Sequence, residues 1–171
     1  KERAAFNKLP SDLQKLRESI GMVPGSKFTL EPGYTEYAQC WRRPAVTVIA
    51  QEASSIKGAS NQVLPKASAL VSCRIVPDQK PQHVFERLSA FLKANPPWGC
   101  EVTVTQVGPP VDWWMTDPNG PAFEAALSAM RAGFDHDPVP IGCGGSIGFV
   151  GPLSDLFGGA PALLIGIEDP A

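Results

Sequence analysis

A Gly108-Pro109-Pro110 run separates two stretches whose hydrophobic patterns require different architectures. Ahead of it, Val46-Thr47-Val48-Ile49-Ala50 reads as a strand because β-branched residues favour a pleated surface. A polar loop from Ser54 to Asn61 follows. Ser68 to Val76 is a second strand, with Ala69, Val71, Cys73 and Ile75 on one face and Leu70, Ser72, Arg74 and Val76 on the other. Residues 81–94 have helical spacing, with Val84, Leu88, Phe91 and Leu92 as a stripe for the odd strand face, and Asn95-Pro96-Pro97 ends the helix. Glu101 to Val107 alternates polar and apolar residues and is expected to be a third strand. Behind the run the pattern changes. An Ala-rich helix over 121–133 turns Phe123, Leu127 and Met130 inward. A short strand at Val139-Pro140-Ile141, a Gly142–Ser146 turn, a helix to about Phe157 and a buried strand at Ala162–Ile167 follow.

The fold class is therefore α/β. The first stretch is β-β-α-β, three-quarters of a ferredoxin-like β-α-β-β-α-β unit without its opening strand and helix. The second is α-β-α-β, a piece of a parallel or mixed sheet. Two strands are too few for a free-standing sheet of that kind, so residues 45–108 and 109–171 are assigned to different domains. Residues 1–44 look like an extended insertion more than a core. Within them, Ser11 to Gln14 fits an S-x-x-Q capping box ahead of Leu13, Leu16 and Ile20, with Gly21 as the helix stop, and a second short helix runs from Tyr34 to Arg43.

With 15 basic and 17 acidic residues the net charge is -2, which argues against a nucleic-acid partner. No apolar run reaches the roughly 18 residues a membrane helix needs, so no membrane association is expected. The chain opens on Lys1 with no secretory pattern, so its start is expected to be missing or processed. The compartment is left open, with the cytoplasm as the favoured expectation. Cys40, Cys73, Cys100 and Cys143 lie far apart without zinc spacing and read as reduced thiols used as small hydrophobes; two disulfides or a nucleophilic thiol are the alternatives. His83 and His136 are the two histidines, too few for a His-rich metal site, and Asp135-His136-Asp137 reads as a polar loop.

Four residues carry candidate chemistry. Gly145 and Ser146, in Gly144-Gly145-Ser146 at an expected helix start, offer backbone N–H groups and a hydroxyl to an anion; a simple tight turn is the alternative. Arg74, mid-strand among apolar neighbours, either pairs locally or faces a ligand. Asn61 closes the polar loop, as a turn residue or as a contact to a ligand.

Taken in order, these pieces resemble the co-catalytic zinc peptidase and aminoacylase superfamily. The segment from Asn61 through Arg74 to Gln79 is similar to a lid segment of that superfamily. Glu31-Pro32-Gly33-Tyr34 and Trp41-Arg42-Arg43-Pro44 look like its carnosinase-like dipeptidase branch. Thr116-Asp117-Pro118-Asn119-Gly120 and Gly144-Gly145-Ser146-Ile147 resemble two catalytic-domain motifs. The resemblance implies a catalytic α/β domain holding two metals, interrupted by a ferredoxin-like lid that forms a homodimer. Residues 45–108 would be the later lid and 109–171 part of the catalytic domain. Arg74 would grip the substrate carboxylate, Asn61 would contact substrate, and Gly145 and Ser146 would bind the same carboxylate from the other side. One departure is Gln62, which lengthens the family's Asn-Val-Ile-Pro by one residue and moves the proline to Pro65.

The metal ligands, the Glu-Glu pair with its general base and the lid histidine of the superfamily precede the matched region, and a last ligand histidine follows it. No catalytic or metal-binding residue is therefore assignable here. The expected identity is a fragment of a metal-dependent dipeptidase-like hydrolase that cleaves an amide bond next to a free carboxylate. Its substrate would be a peptide or N-acyl amino acid. Two divalent ions, zinc by resemblance, are expected in the parent enzyme and none in this chain alone. The alternatives are a non-catalytic ferredoxin-like module that binds an amino acid or carboxylate, and a dimerisation domain.

Overall fold

A computed structural model describes residues 6–145 and 147–166. The architecture is mixed α/β, with five helices and a two-stranded antiparallel sheet among these residues. Helix α1 spans Leu13–Ser19. Its cap is Asp12, not the expected Ser11: the Asp12 carboxylate accepts from the Gln14 and Lys15 N–H groups at 3.1 and 3.0 Å. A carboxylate suits an N-terminus better than a hydroxyl because it answers both the free N–H groups and the positive helix end. Gly21 follows the helix at φ 62°, a left-handed conformation that glycine adopts without steric cost.

Helix α2 spans Glu36–Arg42, capped by Thr35 Oγ1, which accepts from the Ala38 N–H at 3.3 Å. The segment before it is tied to the helix. Gln39 accepts from the Glu31 N–H and donates to the Thr29 carbonyl, each at 2.8 Å. Arg43 pairs with Glu31 and lies over the Tyr34 ring at 5.1 Å. A hydrogen bond that Arg43 donates to the Tyr34 hydroxyl, then the Glu31 carboxylate, raise the Arg43 pKa above its ordinary value. Glu36 and Ala38 of this helix are buried, and the third buried residue among those described is Val150.

Strand β1 (Ala45–Glu52) pairs antiparallel with β2 (Ser68–Arg74) from Ala45 opposite Arg74 to Glu52 opposite Ser68, with a bulge between Val48 and Ala50. The expected alternation is present from Leu70 to Ile75, where Val71, Cys73 and Ile75 are half-covered and Leu70, Ser72 and Arg74 exposed; Ala69, expected on the covered face, is exposed, and Val76, expected on the open one, is half-covered. Helix α3 spans Pro81–Ala94, begun by a proline whose missing N–H costs nothing at that position. Its half-covered stripe is Pro81, Val84, Phe85, Leu88 and Ser89. Phe91, expected inward, is 77% exposed.

Three expected strands do not form. Residues 101–107 keep the alternation, with Val102 and Val104 half-covered, but take no ladder. Residues 139–141 are exposed and unpaired. In 162–166, Leu164 and Ile165 are about half exposed and no ladder forms, while Ile167 lies outside the described residues. A strand exists by pairing, and among the described residues these runs take part in no ladder. Helix α4 spans Pro121–Phe134, with Phe123, Leu127 and Met130 half-covered as expected. Helix α5 spans Val150–Leu156. Among the described residues no helix is long and apolar enough to cross a membrane. The four cysteines are free, and none is buried, so they do not act as core hydrophobes.

Candidate anion-binding site

Arg74 ends β2 opposite Ala45, two residues past Arg43, the C-cap of α2. This register brings its guanidinium to the end of that helix, where Nη1 donates to the Cys40 carbonyl at 3.0 Å. Carbonyls in the last helical turn lack intrahelical partners and carry the negative helix end, so a cation is well placed there. The bond uses one of five guanidinium donors, and Arg74 remains exposed.

The glycine turn reaches the same point from the other half of the chain. A Cβ on Gly144 would lie 2.6 Å from the Cys40 carbonyl oxygen and 2.8 Å from Arg74 Nη1. One on Gly142 would lie 2.8 Å from Trp41 Cγ and Cδ2. Both positions therefore need glycine for close approach, not for backbone freedom, since neither has φ in the left-handed region. Gly145 faces open space, with nothing within 4 Å of a Cβ built there. The guanidinium from β2 and the glycine turn thus approach each other closely at Gly144. Together they can offer a bidentate cation and a backbone donor to a carboxylate.

Of the sequence-derived residues, Arg74 and the turn are brought together. Asn61 is exposed in the 53–67 loop and makes no contact with either among the interactions the structure gives. Ser146 lies outside the described residues. The turn is not a helix start: α5 begins at Val150, after the Val150 N–H bonds the Ile147 carbonyl at 3.0 Å. The anion-binding role expected of a helix end is corrected accordingly; backbone groups of the turn itself remain. Cys40 and Trp41 were not anticipated as site residues. The signal for them was the Gly142-x-Gly144 spacing, because alternate residues of an extended segment face the same way and two bare positions mark a close neighbour. Among the described residues, no group of three or more His, Cys, Asp or Glu side chains could hold a metal ion.

No family model matches the chain. A cysteinylglycine-S-conjugate dipeptidase of Corynebacterium striatum is 34% identical over 165 residues, covering 95% of this chain and 36% of the relative. Human carnosine dipeptidase 1 superposes with a TM-score of 0.72 at 19% identity, over 91% of this chain and 33% of that one. The dipeptidase Dug1p of Saccharomyces cerevisiae gives 0.71 at 24% identity, over 92% and 33%. An M20 family metallo-carboxypeptidase of Sulfolobus solfataricus gives 0.67 at 20% identity, over 92% and 35%. The three structural matches establish the fold. The chain spans about a third of the length of these proteins, 36% of the sequence relative. Its homologues and structural neighbours are thus M20 family metallo-dipeptidases and carboxypeptidases, and it corresponds to one part of them.

Proposed function

We propose that this chain is the carboxylate-reading part of a metal-dependent dipeptidase-like hydrolase, which cleaves an amide bond next to a free carboxylate. The observation that carries the reading is the meeting of Arg74 with the glycine turn at the end of α2. Arg74 supplies charge and paired N–H donors, and Gly145 and Ser146 are the residues assigned to bind the same anion from the other side. Asn61, on the exposed loop, is the residue assigned to reach the substrate when the cleft closes. Holding the carboxylate at a fixed point sets the position of the amide bond beside it, which converts binding energy into orientation. The substrate is a dipeptide or an N-acyl amino acid.

Residues 45–108 act as the later lid and 109–171 as part of the catalytic domain. The exposed apolar side chains of the hairpin, Val46, Val48, Ile49 and Leu70, support a homodimer formed through that lid. Two divalent ions, zinc by resemblance, are assigned to the parent enzyme, and the roles proposed for the residues of this chain are binding and orientation.

The test uses the full-length enzyme. It is expected to hydrolyse dipeptides, to prefer the free acid over the C-terminal amide by tenfold or more, and to lose activity on chelation. Equal rates on acid and amide would contradict the carboxylate reading, and activity indifferent to chelation would contradict the metal-dependent one.

A further inference from the structure

The turn and Arg74 meet on a single helical turn, and its two residues have different tasks. The Cys40 carbonyl accepts from Arg74 Nη1, and the Trp41 ring lies against Gly142. Trp41 is itself held: Tyr37 stacks on it at 5.0–5.1 Å like Phe6, the first nearly parallel at 21° and the second edge-on at 76°. A side chain locked between two rings has little freedom, and an aromatic loses little rotamer entropy on being held. Gly142 and Gly144 have no Cβ to keep the turn away, so the turn rests on this rigid ring and on the helix end.

We propose that Trp41 is a positioning residue of the anion clamp: its ring seats the Gly142–Gly144 turn and so fixes the gap between that turn and Arg74. The inference rests on the carboxylate-clamp reading. The contacts that define this role are those of Trp41 with Gly142, Phe6 and Tyr37. Trp41 acts by setting where the turn stands relative to the guanidinium. An ångström-scale shift of one wall removes the simultaneous contact that makes two-sided anion binding strong.

The experiment measures kcat and KM of the full-length enzyme on a dipeptide and on its C-terminal amide, with metal content and thermal melting recorded for each variant. Gly142→Ala puts a Cβ into the Trp41 ring, and Trp41→Ala removes the seat. Each is expected to raise KM for the acid about tenfold, to change kcat less than about threefold, and to leave the amide nearly unaffected. Trp41→Phe, which keeps a flat ring between Phe6 and Tyr37, is expected to restore most of the acid preference. General damage to the fold would lower acid and amide activity together and would not be rescued by Phe; that outcome overturns the proposal. If Arg74→Ala abolishes the acid preference while Gly142→Ala and Trp41→Ala leave it intact, the clamp stands and the positioning role of Trp41 falls. If wild type shows no acid preference, the functional reading falls, and this inference with it.

Discussion

The corner where α2, Arg74 and the glycine turn meet is built quite differently from the β1–β2 hairpin and α3. In the first, two glycines are pressed against a ring and a carbonyl, and the buried residues Glu36 and Ala38 lie on the same helix. In the second, all eight residues of β1 are exposed, and Val46 and Ile49 are about 60% open. An isolated two-stranded ribbon is marginal in water, because one ladder does not offset the cost of ordering two strands. The difference teaches that sequence separation does not predict where this chain is most tightly constrained. The tight contact joins residues roughly a hundred positions apart, while the neighbouring strands leave their apolar faces open.

Neighbouring glycines give the sharpest break of this comparison. Gly144→Ala places a methyl 2.6 Å from a backbone carbonyl that cannot rotate away, so it is expected to destabilise the chain by about 1–3 kcal/mol in denaturant melts. Gly145→Ala meets nothing and is expected within about 0.5 kcal/mol of wild type. Equal effects would remove the case for close approach. Capping comes next in size. Thr35→Ala and Asp12→Ala remove the same kind of bond, worth about 1 kcal/mol. Because α2 carries buried residues and α1 carries none, Thr35→Ala is expected to lower global stability. Asp12→Ala should speed amide exchange chiefly within α1. The smallest effect is expected on α3: Phe91→Ser, at a position 77% exposed, should shift stability by less than about 0.5 kcal/mol in the monomeric chain. A larger loss that depends on protein concentration would identify Phe91 as part of an interface.

Local signals were legible and long-range ones were not. Pro81 at the start and Asn95-Pro96-Pro97 at the end delimit α3 within the sequence, and both limits hold. The alternation of Ser68–Arg74 correctly left Arg74 on the open face. The same alternation in 101–107 did not make a strand, because a strand needs a partner that its own residues do not encode. The Gly-rich turn was legible as a site, but not as a turn separate from α5: nothing in Ile147-Gly148-Phe149 marks the helix start, and Phe149 caps it with no side-chain bond. Trp41 was legible only as part of a motif, since its partner Gly142 comes from the far half of the chain.

The central claim is that Arg74 reads the substrate's carboxylate. The direct measurement is a double-mutant cycle in the full-length enzyme, crossing Arg74→Ala with replacement of the free acid by the C-terminal amide. Loss of a charged, two-pronged contact should cost about 1.5–3 kcal/mol on the acid, roughly ten- to a hundredfold in affinity. It should cost almost nothing on the amide, so that nearly the whole effect is a coupling between guanidinium and carboxylate. Equal losses on acid and amide would contradict the account and leave Arg74 as a cap on the C-terminus of α2.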